Sequence, residues 1–130
     1  MSGSNLSRAL HRTICEFVVD LKSIFEDPKD RGDLLLVEIF FGALDPDAAA
    51  QHIIRHVLPH SKHIEMRNKE FFIDEKETIF SGLPKAKVNR FSSILSKSTE
   101  EGGPSTENME MIWKYFDTMI ALAKRCRKNE

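Results

Sequence analysis

Apolar residues in the first part of the chain recur at steps of three and four positions, the period of a helix with one buried face. This pattern predicts a first helix over residues 5–26. Asp27-Pro28 is expected to end it, because the residue before a proline is disfavoured in the α-helical region. The predicted apolar stripe consists of Leu6, Leu10, Ile14, Phe17, Val18, Leu21, Ile24 and Phe25.

The end of the chain repeats the same period and predicts a last helix over residues 106–128. Its stripe consists of Met109, Ile112, Trp113, Phe116, Met119, Ile120 and Ala123. Residues 98–105, rich in Gly, Pro, Ser and Glu, form a predicted linker between this helix and a main body over residues 5–97. The sequence leaves open whether the last helix packs on its own domain or on a neighbour.

The segment between these two helices has weaker patterns. Residues 30–33 are predicted to form a turn. Residues 33–44 are apolar almost all round, which fits a buried helix or a buried strand. We favour the helix, because Asp33 can cap it and the sequence shows no alternating pattern for a partner strand.

Three further helical regions complete the prediction. Asp45-Pro46 is typical of an N-cap followed by the first helical residue, and the helix that it begins is expected to stop before Pro59. Residues 60–83 are predicted to hold short helices, and residues 84–97 another helix. The chain is therefore predicted to be a single all-α domain over residues 1–130, a compact bundle of five to six helices.

The composition is that of an ordinary globular protein, with 41% hydrophobic and 30% charged residues. The 19 basic and 20 acidic side chains nearly cancel, which argues against a general nucleic-acid binder. No apolar run approaches the roughly 20 residues of a membrane span, and the N-terminus lacks a signal-peptide pattern. We therefore expect no membrane contact and a cytoplasmic or other intracellular location. Cys15 and Cys126 are expected to be reduced thiols, with a bridge between the first and last helices as the alternative.

Four of the five histidines lie close together in the sequence. His52 and His56 share one helical face, a spacing that can bind Zn²⁺, but the intervening residues lack the glutamate of a zinc-protease motif. Pro59 breaks the helix before His60, so the four histidines need not converge. The preferred interpretation is a solvated face with no metal and no cofactor, and His52 and His56 stay candidate metal ligands.

Basic residues form two clusters at predicted helix ends. The first, at a helix start, consists of Lys85, Lys87 and Arg90. The second, at the end of the last helix, consists of Lys124, Arg125, Arg127 and Lys128. Positive charge is favourable at a helix C-terminus, and a helix start attracts anions. If the two clusters lie side by side, they predict a phosphate or nucleic-acid surface.

The nine phenylalanines include two adjacent pairs, Phe40-Phe41 and Phe71-Phe72. We expect that both members of such a pair cannot point into one core from a helix, so that one member faces a second surface. The candidate interaction residues are Trp113, Phe116, Phe41 and Phe72. They predict a homo-oligomer or a complex with a protein partner.

A resemblance adds to this interpretation. Residues 52–125 resemble small helical proteins of large double-stranded DNA viruses of eukaryotes, through His56 to His60, Phe71-Phe72, Phe80 with Gly82-Leu83-Pro84, Lys87-Val88, and Ile112 to Phe116. It implies a virion-associated or host-interacting role, in the host cell or the virion, and no catalytic residues.

Three functions follow from the sequence. The first is a non-enzymatic structural, assembly or protein-interaction protein that works through helix faces. The alternatives are a nucleic-acid-associated protein that uses the two basic clusters, and a small metal-binding protein that uses its histidines.

Overall fold

The computed structural model describes residues 2–128, with side chains from Asn5 onward. These residues form helices and no β-strand, so the all-α prediction is confirmed. Five helices have eleven or more residues, and three have four or five. In chain order they are α1 (Ser2–Ser23), α2 (Pro28–Ala43), α3 (Pro46–His56), α4 (Ser61–Glu65), α5 (Glu70–Asp74), α6 (Lys76–Ile79), α7 (Lys85–Ser96) and α8 (Thr106–Lys128). Within the described part of the chain, no helix is long and apolar enough to cross a membrane.

The last helix packs against the first helix of its own chain. Phe17 of α1 and Phe116 of α8 meet edge to face, with ring centroids 5.1 Å apart. Nearer the beginning of α1, the Ser7 Oγ lies 3.9 Å from the buried Cys126 Sγ. Contacts with later residues of α1 are made by earlier residues of α8, so the two helices are antiparallel. α8 also contacts α3 and α4, and these contacts place it inside the bundle.

The second helix begins earlier than the sequence pattern predicts. α1 ends at Ser23, and the Asp27 carboxylate accepts a 2.8 Å hydrogen bond from the Lys29 backbone N–H, with Pro28 at the first helical position. Residues 30–33 are therefore helical and the predicted turn there is wrong. The Asp-Pro pair starts α2 in the same way that Asp45-Pro46 starts α3, where Asp45 accepts a hydrogen bond from the Ala48 N–H.

A run of short elements follows α3, which ends at His56. The chain forms a 3-10 turn over Leu58–His60 and then α4, α5 and α6. Phe71 and Phe72 of α5 are both fully buried, so the expectation that only one of them faces the core is wrong. α5 packs on α7, and both of its phenylalanine rings contact Phe116 of α8. Phe71 also contacts His60, and Phe72 also contacts Trp113.

The predicted linker has a defined conformation. The Ser98 backbone N–H donates to the Glu101 carboxylate, and the Gly103 N–H donates to the Ser98 carbonyl at 2.8 Å. Gly102 has a φ of 96°, a left-handed conformation that favours glycine. A Cβ on Gly103 would lie 2.1 Å from the Lys97 carbonyl oxygen, so only glycine fits there. The connection thus leads the chain directly from the end of α7 to the start of α8.

The aromatic contacts of Phe116 predict a large stability loss on truncation. The Phe116→Ala substitution removes a ring that touches Phe17, Phe71 and Phe72. We expect the free energy of unfolding to fall by about 3–5 kcal/mol, from lost burial and the cavity left behind. Urea denaturation followed by circular dichroism measures this change.

The control for this substitution is Met66→Ala, because Met66 is 78% exposed. We expect it to change the free energy of unfolding by no more than about 0.5 kcal/mol. A Phe116→Ala protein whose free energy of unfolding fell by less than about 1 kcal/mol, the net value of one hydrogen bond, would contradict the central position of this ring.

Candidate interaction surface

The inner side of α2 belongs to the core. Leu34, Val37 and Phe41 are buried, and the helix packs mainly on α1. Phe41 also anchors the two neighbouring helices: its carbonyl oxygen lies 2.7 Å from Nε2 of His11, and its ring meets that of His52 on α3.

The opposite side of α2 is also apolar. Leu35, Leu36 and Ile39 are 43%, 47% and 58% exposed. A Cβ added at Gly32 or Gly42 would meet no atom within 4 Å, so both glycines border open space. We call this exposed stripe the outer face of α2; its residues are Gly32, Leu35, Leu36, Ile39, Gly42 and Ala43.

Neighbouring side chains border this face. On one side, Lys22 of α1 forms a 2.6 Å ion pair with Glu38, and Val19 of α1, one turn before Lys22, is 44% exposed. On the other side, the half-buried Phe40 packs against Phe41. The outer face therefore continues into apolar surface at Val19, and on the other side it is bordered by Gly82, which lies against Phe40 and the Leu36 carbonyl.

Charged residues lie at both ends of α2. Lys29 and Arg31 are exposed in the first turn, and Asp45 and Asp47 are exposed just beyond the last turn. Asp45 also caps α3, which fixes the position of its carboxylate. Glu26 and Asp27 are also exposed beside Lys29 and Arg31, so the start of α2 has mixed charge and its other end is acidic.

The aromatic residues predicted to make interactions lie elsewhere, inside the protein. Trp113, Phe116, Phe41 and Phe72 are 5%, 2%, 1% and 0% exposed. They build the core and offer no surface to a partner in this structure. The sequence pattern missed the outer face of α2 because it treated residues 33–44 as buried all round.

The first predicted basic cluster is largely neutralised by α2. Lys87 Nζ lies 2.5 Å from the Asp33 carboxylate, and Arg90 binds both oxygens of Asp30. Asp30 is 7% exposed, so this ion pair is partly sheltered from solvent. Lys85 is exposed and adjoins these pairs.

The second basic cluster lies at the other end of the molecule. Lys124, Arg125, Arg127 and Lys128 are exposed beside the start of α1, where Ser7 meets Cys126. The first cluster is on α7, which meets the chain just after α1 through the rings of Phe25 and Phe91. α1 separates the two clusters by about 24 Å, counted at 1.5 Å per residue from Ser7 to Ser23. The two clusters therefore do not form one surface.

The histidines predicted as metal ligands are only partly solvated. The rings of His52 and His56 lie 5.1 Å apart, but Nε2 of His52 is buried and makes no hydrogen bond. Burial lowers the pKa of His52, and the backbone of Thr78 offsets this only in part. His52 is thus held neutral against the core. Nδ1 of His56 lies 3.8 Å from a carboxylate oxygen of Glu75.

An open groove of about 430 Å³ lies between α1 and α8. The Tyr115 hydroxyl in this groove donates a hydrogen bond to the Asp20 carboxylate and so joins the two helices. Burial, followed by this hydrogen bond and the charge of Asp20, raises the pKa of Tyr115 to about 12.

Comparison of the chain with protein-family models, with curated proteins and with solved structures found no match. The resemblance to helical proteins of large DNA viruses stays a prediction. We infer function from the surfaces of the chain itself.

The single tyrosine makes the Tyr115–Asp20 contact directly measurable. We expect the tyrosinate absorbance of the folded protein to rise with a midpoint at a pH of about 12, against about 10 in the unfolded chain. Tyr115 keeps its phenolic proton to a higher pH in the folded state than in the unfolded chain. Its contribution to the free energy of unfolding is therefore complete below a pH of about 10 and is lost as the pH rises toward about 12.

Asp20→Asn is the matched variant for this titration. It removes the charge beside the phenol and is expected to move the midpoint downward. A folded protein that titrated at the ordinary tyrosine pKa would contradict the contact.

Proposed function

We propose that this protein is a non-enzymatic assembly protein that pairs with a second copy of itself through the outer face of α2. The observation that supports the proposal is the apolar character of this exposed side from Gly32 to Ala43. A surface helix normally places charged and polar side chains toward solvent. A continuous apolar patch on a soluble domain is typical of a contact surface.

A second copy fits this face better than an unrelated partner, because the face is complementary to itself. In an antiparallel pair with a two-fold axis opposite Val37, Gly32 of each copy lies opposite Gly42 of the other. Leu35 lies opposite Ile39 in the same register. Small residues at both ends let the helices approach closely, and the large side chains meet in the middle.

In the same register Lys29 lies opposite Asp45 of the second copy, an attractive pair, and Asp27 lies opposite Asp47, a repulsive one. The end charges therefore do not select the orientation, which rests on the spacing of the small and large residues of the outer face. A two-fold contact uses the same patch on both subunits, which is the commonest symmetry of homo-oligomers.

The size of the face sets the expected strength of the pairing. α2 has 16 residues and is about 24 Å long. One helix face buries less than the roughly 800 Å² per partner of a standard interface, even with Val19 at its border. We therefore expect a reversible dimer with a dissociation constant in the micromolar range. This corresponds to a binding free energy on the order of −8 kcal/mol or weaker.

The nucleic-acid alternative has less support. Lys87 and Arg90 already bind Asp33 and Asp30, and the cluster at the end of α8 lies at the far end of α1. The acidic and basic totals also nearly cancel. Binding of this kind depends on many unpaired cations acting on one phosphate backbone.

The Ile39→Glu substitution tests the pairing. It places a charge in the middle of the outer face, where a dimer would bury it, and a buried unpaired charge is strongly unfavourable. We expect the wild-type protein to shift from monomer to dimer with concentration in sedimentation velocity, and the variant to stay monomeric up to about a millimolar.

Ile73→Glu is the matched control. Ile73 lies on α5 away from the outer face and is 48% exposed, close to the 58% of Ile39. The control is expected to dimerise like the wild type. A wild-type protein that stays monomeric over the whole range, or an Ile73→Glu protein that loses its dimer equally, would overturn the proposal.

Cross-linking tests the orientation separately. Gly32→Cys protein mixed with Gly42→Cys protein is expected to form a disulfide-linked heterodimer in the antiparallel register. Each variant alone should form little homodimer, since like positions lie far apart. Efficient cross-linking of Gly32→Cys alone would instead indicate a parallel pair.

A further inference from the structure

Two histidines and an aspartate from different segments meet beside the short helices. His60 ends the 3-10 turn, His63 lies in α4, and Asp74 is the last residue of α5. One ligand atom from each of these side chains lies within 4.8 Å of the other two. Both histidines are half-buried and Asp74 is exposed, so the group opens to solvent on one side.

We propose that His60, His63 and Asp74 bind a divalent transition-metal ion of the Zn²⁺ class. The site differs from the pair His52 and His56, which the sequence spacing suggested. It is also independent of the outer face of α2 and of the function proposed for it.

One ring nitrogen of His63 lacks a hydrogen-bond partner, which supports a ligand at this position. Nδ1 of His63 is buried and has no hydrogen-bond partner. Buried nitrogens of this kind are rare, because a polar atom removed from water without a partner is unfavourable. Nε2 of His52 is in the same condition, but only His63 belongs to the cluster, where a metal ion bound at Nδ1 would satisfy this nitrogen.

Glu75 and Phe71 hold the ring of His60 in position. Its Nε2 lies 2.9 Å from the Glu75 carboxylate, and Thr78 Oγ1 donates a 3.0 Å hydrogen bond to the other oxygen of that carboxylate. The ring also packs against Phe71. In the neutral tautomer that donates from Nε2 to the carboxylate, Nδ1 is free to bind a metal, the arrangement common around zinc.

The donor set selects the class of metal. Two imidazoles and one carboxylate suit Zn²⁺, Co²⁺ and Ni²⁺, whereas Ca²⁺ and Mg²⁺ prefer oxygen ligands throughout. Three protein ligands leave at least one position for water. The bound ion would join α4 to α5 in a region where α4, α5 and α6 have only four or five residues each.

A bound metal ion would stabilise this region of short helices. Helices of one turn have almost no stability by themselves, and packing must hold them. A metal ion between His63 and Asp74 would tie two of them together and favour the folded state by its binding free energy.

Titration of Zn²⁺ into chelator-treated protein without an affinity tag tests the site. We expect the wild-type chain to bind one ion and to gain thermal stability, and Mg²⁺ to give neither result. Replacing Zn²⁺ by Co²⁺ should give a visible absorption spectrum with the intensity of a four- or five-coordinate ion.

Variants show which residues hold the ion. His63→Gln and Asp74→Asn are each expected to weaken Zn²⁺ binding at least about tenfold, while circular dichroism shows the helices intact. His56→Gln is the matched control, a histidine of the same cluster outside the site, and should bind like the wild type.

Two outcomes would overturn the proposal. Loss of binding in His56→Gln with normal binding in His63→Gln would assign the ion to the pair His52 and His56. Weak binding that is equal in all variants would mean an adventitious ion only.

Discussion

The ring of Phe116 holds together three parts of the chain that are distant in sequence. It packs on Phe17 of α1 and on Phe71 and Phe72 of α5, with centroid separations of 5.1, 5.0 and 5.9 Å. Rings in tilted and edge-to-face contact combine large buried area with defined geometry. This contact fixes α8 against its own chain, and the antiparallel pair of α1 and α8 is then the frame on which the other helices pack.

The position of α8 determines which surface remains uncovered. α1 contacts α2, α3 and α8, and α3 also contacts α8. α2 packs with one side against α1, and Gly82 lies against its flank at Leu36 and Phe40. Because α2 is apolar on its other side too, this arrangement leaves Leu35, Leu36 and Ile39 partly exposed. The outer face is therefore the part of an apolar helix that the bundle covers incompletely.

Local patterns predicted those features that depend on neighbours in the sequence. α8 spans the predicted residues, and Asp45-Pro46 starts α3, because periodicity and capping act over a few residues. The start of α2 was missed, although Asp27-Pro28 has the same capping chemistry. The run from Asp30 to Asp33, with Gly32 inside it, is equally typical of a turn, and only the packing of Leu34 and Val37 on α1 decides for a helix.

Features of the candidate sites depend on contacts across the chain, and no local pattern contains them. Arg90 lies 60 positions from Asp30, so the neutralisation of the first basic cluster follows from the packing of α7 near α2. Phe71 and Phe72 are both buried because α5 has neighbours on two sides, which its own sequence does not state. His63 and Asp74 meet only because the chain turns back between α4 and α5.

The same physical reasoning applies to association through the outer face of α2. An exposed apolar helix in a small domain invites association with any apolar surface, and a protein with such a face stays soluble only if the contact is specific. Lys29 and Arg31 lie beside the exposed Glu26 and Asp27, so charge alone does not distinguish the two orientations of a partner helix. An apolar stripe supplies attraction without direction. The direction of the proposed dimer would come from the spacing of its residues, with Gly32 and Gly42 at the ends and Leu35 and Ile39 between them.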